Sequence, residues 1–305
     1  MIPIGIDVSK YKLDIWLNNK LVAIKNEVSA IKSFFEKIDR SARIIMEATG
    51  KYHRLAHTTL EMLGLKVMII NPFQSRHFAK AMNILCKTDK VDAKVLSLYA
   101  ERMEFKQTNA PHEEELKLQE LLRHLNDLKH TKVELEARLE GAENFIKDSL
   151  KRAVKGINDE INKTEEQIRE VIEGSIKLKQ SQKILKSIPG VGTTTAAVLL
   201  GLLKELGTLS SKEVASLAGL APMNVDSGTM KGKRRIQKER HDIRSHLYMP
   251  VIGAATKHNP VLKALYKRLV DAGKPGKVAL TACMRKLVIF ANAMLKKNEM
   301  WHVYN

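Results

Sequence analysis

Cysteine is almost missing from this 305-residue chain: Cys86 and Cys283 are its only two, far apart and adjoining no metal-ligand spacing. That excludes a disulfide framework and a thiolate zinc site, and it points to a reducing, cytoplasmic setting. Aromatic residues make up 5% of the chain, and the scattered Tyr248 and Tyr266 offer no cluster on which bases could stack. No run approaches the roughly 20 unbroken apolar residues of a membrane span, and no signal-peptide pattern is seen at the start, so no membrane association is expected. Acidic side chains are in deficit, 34 against 52 Lys and Arg, a net charge of +18. With 44% hydrophobic residues the chain is not disordered, and its length suits two or three domains.

The positive charge is unevenly placed. Residues 1–107 carry 18 basic and 11 acidic side chains (+7), residues 108–180 carry 13 and 16 (−3), and residues 181–305 carry 21 and 7 (+14). A cationic last segment of that size makes nucleic acid the expected partner.

Hydropathy patterning predicts three consecutive antiparallel strands at 2–8, 12–17 and 21–26, broken by Ser9-Lys10 and Asn18-Asn19. A helix over 29–38, a strand over 43–48, a helix over 52–63 and a buried strand over 66–70 follow, then helices at 73–82 and 89–104. That order is the order of the ribonuclease H fold, expected over residues 1–108. Apolar side chains at Leu121, Leu125, Leu128, Leu135, Leu139, Ala142 and Ile146 then recur near heptad spacing. The pattern reads as a helix over 114–151, a break at Gly156 and a second helix to Gly174, so 109–180 fits either a helical hairpin or an intersubunit coiled coil. A mostly α-helical domain is expected over 181–305. In it Ser187–Gly192 followed by Thr193–Leu203 resembles a helix-hairpin-helix, whose turn at Gly190 and Gly192 would offer backbone N–H groups to a phosphate.

Four carboxylates carry the chemistry. Asp7 in Ile4-Gly5-Ile6-Asp7 and Glu47 in Ile44-Ile45-Met46-Glu47 each end an apolar, β-prone run, and Asp89 and Asp92 stand at i and i+3 on one helix face behind Thr88 as N-cap. Taken singly, each acid reads as a turn cap or as a helix N-terminal acid favoured by the dipole. Gathered at two strand ends and one helix start of a basic chain, they point to a hard divalent metal and phosphoryl transfer. Asp14, Glu61 and Glu101 lack such settings and are expected on the solvated surface. A second element is Asp226-Ser227-Gly228-Thr229, followed by Lys231, Lys233, Arg234, Arg235, Lys238, Arg240 and Arg244. Alone it is a turn; beside that cationic run Ser227 has what attack on a phosphodiester needs, with His241 or His246 as candidate bases.

With their flanking residues, Asp7, Glu47, Asp89 and Asp92 resemble the DEDD tetrad of the insertion-sequence transposases of the IS-one-ten group, kin to the Piv-type DNA invertases. The resemblance extends through Asn71-Pro72, Ser187–Leu199, Leu217–Pro222, Tyr248-Met249-Pro250, Gly273–Lys277 and Met284–Leu287, nearly the whole chain. It implies a domain like the Holliday-junction resolvase RuvC that binds Mg²⁺ or Mn²⁺ through the four acids, then a coiled coil, then a transposase domain whose serine nucleophile falls on Ser227. It also implies a structured bridge RNA as guide, double-stranded donor and target DNA as substrates, nucleoid-associated action, and homodimers pairing into tetramers. Lys274 and Lys277 join the candidate nucleic-acid contacts. The expected activity is metal-dependent cleavage, exchange and religation of DNA through a phosphoserine link. The alternatives are a Piv-like invertase without a guide, a junction nuclease using water, and a non-catalytic nucleic-acid-binding protein.

Overall fold

The computed structural model describes residues 2–86, 88–223, 235–236 and 241–302. They form two compact units, Met1–Pro111 and His112–Asn305.

The first unit is built on a five-stranded sheet. Strands β1 (Pro3–Val8), β2 (Lys12–Leu17) and β3 (Lys20–Lys25) are antiparallel neighbours, and β4 (Arg43–Glu47) and β5 (Lys66–Ile70) run parallel to β1, in the order β3-β2-β1-β4-β5. This is the ribonuclease H arrangement. Helices α1 (Val28–Phe35), α2 (His53–Met62), α3 (Pro72–Ala81) and α4 (Asp89–Arg102) complete it. The two-residue link from β2 to β3 works because Asn18 and Asn19 both take positive φ, at 48° and 60°, the twist a tight hairpin demands.

Strand periodicity then decides what faces what. Ile4, Ile6 and Val8 of β1, Leu13 and Ile15 of β2, and Ile44 and Met46 of β4 join Ile31, Phe35, Ala56 and Leu60 in one core, on the α1 and α2 side. The intervening residues must therefore face the other way. On that face Ile45 and Ile70 pack with Leu96, Tyr99 and Ala100 of α4, and Lys94 of α4 lies over the Trp16 ring of β2.

Gly5 sets how closely α4 approaches. A Cβ there would collide with the backbone of Ala93 and Ser97 and sit 2.8 Å from the Leu96 carbonyl carbon, so only glycine lets the helix lie directly on β1. Ser97 fastens the contact by donating from Oγ to the Pro3 carbonyl at 3.1 Å.

The second unit is helical. Helices α5 (Glu113–Glu140) and α6 (Asn144–Gly174) form an antiparallel hairpin, pinned by Lys129–Glu165 at 2.9 Å. The break falls at Gly141, and α6 runs straight through Gly156, contrary to the expectation from sequence. A mid-helix glycine costs only about 1 kcal/mol against alanine, little for a 31-residue helix packed along a partner. Of the two readings of the heptad pattern, the hairpin is formed within one chain: Leu118, Leu122 and Leu125 of α5 and Ile161, Ile168, Val171 and Ile172 of α6 are buried in the unit's core. At the hairpin's far end Val133 and Phe145 stay 63% and 86% exposed.

Helices α7 (Ile176–Lys186), α8 (Thr193–Leu202), α9 (Ser211–Leu217), α10 (His241–Gly253), α11 (Pro260–Asp271) and α12 (Gly276–Lys297) complete the unit, with a π-helical turn at Ala254–His258 and a two-stranded ribbon of β6 (Pro222–Met223) and β7 (Arg235–Ile236). α12 is the one helix of the described residues long and apolar enough to span a bilayer. Here its Ala279, Leu280, Cys283, Met284, Leu287, Val288 and Ala291 are buried in the core.

Candidate active site

The face of the sheet that receives α4 carries the acids. Asp7, Asp14 and Glu47 occupy strand positions that alternate with the buried residues of the opposite core, and Asp7 is the direct cross-strand partner of Asp14. Glu47 ends β4 one residue beyond the pair Ile6–Met46, which sets it beside Asp7. Thr88 accepts from the Val91 N–H at 3.3 Å and starts α4, placing Asp89 and Asp92 in its first turn. Gly5 lets the turns that follow, Ala93 to Ser97, lie directly on β1.

The acids act on one another electrostatically. The Asp7 carboxyl is pushed up from 3.8 to about 6, first by burial and then by the negative charge of Asp92, Asp89, Glu47 and Asp14. A carboxylate so crowded calls for a cation. Lys12 supplies part of that charge: its Nζ lies 2.8 Å from Asp14 and 3.3 Å from Asp89. The all-oxygen donor set suits a hard divalent ion. Among the described residues, however, no three such side chains stand close enough to chelate one.

Glu47 is held from behind. Asn71 accepts from the Phe73 N–H at 2.8 Å, and its own N–H donates to Gln74 at 3.2 Å, a capping box that starts α3 on Pro72. This presents Ser75, whose Oγ lies 2.9 Å from Glu47 Oε2 and 3.0 Å from the Pro72 carbonyl. Asn71-Pro72 thus ends β5 and also aims the serine that orients Glu47. A cleft of about 230 Å³ opens here, lined by Glu47, Pro72, Ser75, Arg76, Ala79, Asp92 and Val95.

Of the acids expected at the solvated surface, Asp14 is withdrawn from it and Glu61 is half-buried. Asp14 is buried, 3% exposed, and paired to Lys12; Glu61 accepts from the Ala110 N–H at 2.9 Å and ties the end of the unit to α2. Asp14 was legible in principle, because a period of two carries it to the face of Asp7. Glu101 is exposed as expected.

The second unit holds the remaining candidates. Gly190 takes φ +90°, and a Cβ there would strike Ala254. Asn259, fully buried, donates from Nδ2 to the Pro189 carbonyl at 3.2 Å while capping α11. The glycine turn is thereby clamped, with Gly192, Thr193 and Thr194 exposed at the start of the otherwise buried α8. Lys274 and Lys277 are exposed at the start of α12. Arg244 donates to the Gly219 carbonyl at 3.2 Å, a structural tie. The backbone of Arg235 lies in β7, paired with Met223. Ser227, Lys231, Lys233, Arg234, Lys238 and Arg240 lie outside the described residues, as does the side chain of His241.

A ribonuclease H-type sheet with acids at the ends of its two central strands and on the helix laid across them defines an enzyme of phosphoryl transfer on nucleic acid. Comparison with known proteins carries the assignment further. Residues 4–142 match a transposase family model of the DEDD, IS110 type, and residues 182–267 match the Transposase IS116/IS110/IS902 family. The pilin gene-inverting protein of Moraxella lacunata is 31% identical over 263 residues, 84% of this chain and 80% of the relative, and that of Moraxella bovis matches to the same extent. The insertion element IS110 uncharacterized 43.6 kDa protein of Streptomyces coelicolor is 28% identical over 159 residues, 51% of this chain and 38% of the relative. The chain belongs to the IS110 family of transposases, the IS-one-ten group met in the motifs, and is a DNA transposase or recombinase.

Proposed function

We propose that the protein cuts, exchanges and rejoins DNA with Asp7, Glu47, Asp89 and Asp92 as its acid centre and Ser227 as its nucleophile. The carrying observation is the crowding of carboxylates beside Asp7, which with burial lifts it to about 6. At neutral pH such a site carries excess negative charge that an entering cation would offset. The four acids would hold a divalent ion, Mg²⁺ or Mn²⁺, which when bound neutralises the charge that builds on the attacked phosphate. Asp7 and Glu47 fix the site to the rigid sheet, Ser75 keeps the Glu47 carboxylate oriented, and Asp89 and Asp92 close it from α4. Ser227 gives up its hydroxyl proton to a base and attacks phosphorus through its oxygen, the bond from phosphorus to the DNA 3′ or 5′ oxygen breaks, and that departing oxygen takes up a proton to leave as a hydroxyl. The phosphoserine link keeps the bond energy for rejoining without a nucleotide triphosphate.

The exposed glycine turn at α8 and the basic residues from Lys231 to Arg240, with Lys274 and Lys277, contact the backbone of donor and target DNA. Subunits act as dimers that pair into tetramers, and a structured bridge RNA guides them. The RNA and the assembly rest on the family resemblance and on the charge of +14 over residues 181–305. A second reading, inversion without guide RNA, is favoured by the relatives named for pilin gene inversion. Sequencing RNA that co-purifies with the protein separates the two: a discrete structured transcript supports guidance, and its absence from an active preparation supports the invertase. Trapping on a nicked suicide substrate, followed by mapping of the DNA-linked peptide, tests Ser227. An adduct on Ser210, Ser211 or Ser245 would move the nucleophile.

A further inference from the structure

We propose that Arg76 is a phosphate-binding residue of the reaction, set in the cleft between α3 and α4 to receive a nonbridging oxygen of the DNA strand beside the acid centre. The inference rests on the reading of the four acids just given. The cleft joins Glu47 and Asp92 to Arg76 in one space of about 230 Å³. The buried Ala79 and Val95 also line it, and apolar side chains beside a charge strengthen its interactions. Arg76 is half-buried, yet among the described residues it makes no ion pair, although two carboxylates line the same cleft. Glu47 takes its hydrogen bond from Ser75 instead. A guanidinium kept off its carboxylate neighbours is free for an incoming anion, and its planar fork matches two phosphate oxygens. The capping box at Asn71 fixes the first turn of α3 and so fixes where Arg76 stands relative to Glu47.

Full-length Arg76→Gln and Arg76→Lys proteins test this, with Asp7→Asn and Glu47→Gln alongside. Three quantities are read: Mn²⁺ affinity by titration calorimetry, the salt dependence of duplex DNA binding, and the single-turnover rate of Mg²⁺-dependent strand cleavage. Arg76→Gln is expected to bind Mn²⁺ at least as tightly as the parent, because a nearby cation is removed. Its salt slope should flatten by roughly 0.9, and its cleavage should fall about 100-fold, the usual cost of one donor to a charged transition state. Arg76→Lys should recover part of the rate. Cleavage by Arg76→Gln at the parent rate overturns the proposal. So does a loss of rate matched by an equal loss of Mn²⁺ affinity, which would make Arg76 a prop for the carboxylates. Parent-like cleavage by Asp7→Asn and Glu47→Gln would instead overturn the metal reading, and Arg76 would still be judged by its own rate and salt slope.

Discussion

Replacing Asp7 with Asn should stabilise the metal-free protein while destroying its activity. Asp7 is raised from 3.8 to about 6 by burial and by four neighbouring acids, so the folded chain holds its ionised form at a cost. Two pKa units at about 1.4 kcal/mol each set a ceiling near 3 kcal/mol. Asp7 is only partly buried, and solvent screening reduces this to about 1–2 kcal/mol. Between pH 3.8 and about 6 the folded state binds more protons than the unfolded state, so stability falls as pH rises through that window and stays low above it. The amide cannot ionise, so Asp7→Asn should lack this fall. Its advantage should be full above pH 6 and vanish below about pH 4.

The assay is urea unfolding in EDTA at several pH values, followed by Trp16 fluorescence in a Trp301→Phe background so that only the first unit is read. Adding Mg²⁺ should then raise the parent's midpoint, since an ion that binds only the folded state stabilises it by mass action, and should raise that of Asp7→Asn much less. Equal midpoints at pH 7.5 in EDTA would refute the reasoning, because the acids would then not be crowded. An advantage that persists at pH 4 would assign the effect to packing and not to charge.

The remaining predictions are briefer. Gly5→Val should cost at least 2–3 kcal/mol by pushing α4 off β1, and cleavage should fall more than stability alone explains; a normal cleavage rate in a folded variant would disconnect α4 from the site. Ser227→Ala should bind DNA with unchanged affinity and form no covalent adduct, as judged by denaturing gels of a suicide substrate. Neutralising Lys233, Arg234 and Arg235 together should flatten the salt slope of DNA binding by roughly 0.9 for each lost phosphate contact, and an unchanged slope would make the run a solubilising surface. Replacing exposed Val133 and Phe145 with Lys should reduce the assembly's mass in light scattering if the hairpin tip joins subunits. The buried Leu125 is unsuited to that test, since a charge there would disrupt the unit's own core.

The first unit was the more legible in the sequence because its signals are local. Apolar alternation in β1 and β2, turn residues at Asn18-Asn19, and Thr88 before an acidic first turn each act within a few residues, and elements placed one residue off still give the same topology. The positions of Asp7, Glu47, Asp89 and Asp92 at two strand ends and one helix start followed from the same periodicity, because such ends are readable without tertiary contacts. Asn71-Pro72 is a local signal only for the end of a strand and the start of a helix. Its consequence, the hydrogen bond from Ser75 to Glu47, depends on a 28-residue separation that no local pattern encodes.

What sequence missed has a common physical cause: tertiary packing outweighs a residue's ordinary preference. Glycine usually ends helices, yet Gly156 continues α6, because the surrounding apolar stripe on α5 stabilises helix on both sides by more than one glycine costs. Aspartate usually seeks solvent, yet Asp14 is buried, because register forces it opposite Asp7 and Lys12 follows two positions earlier on the same strand face to offset its charge. That pairing changes the reading of the site. A lysine reaching both Asp14 and Asp89 partly neutralises the acid face without entering the cleft. It lets four carboxylates be built onto one face of a folded domain while leaving Asp7, to which it makes no bond, still short of positive charge. The deficit at Asp7, set first by burial and then by Asp92, Asp89 and Glu47, with Asp14 adding least, is what an entering cation would relieve.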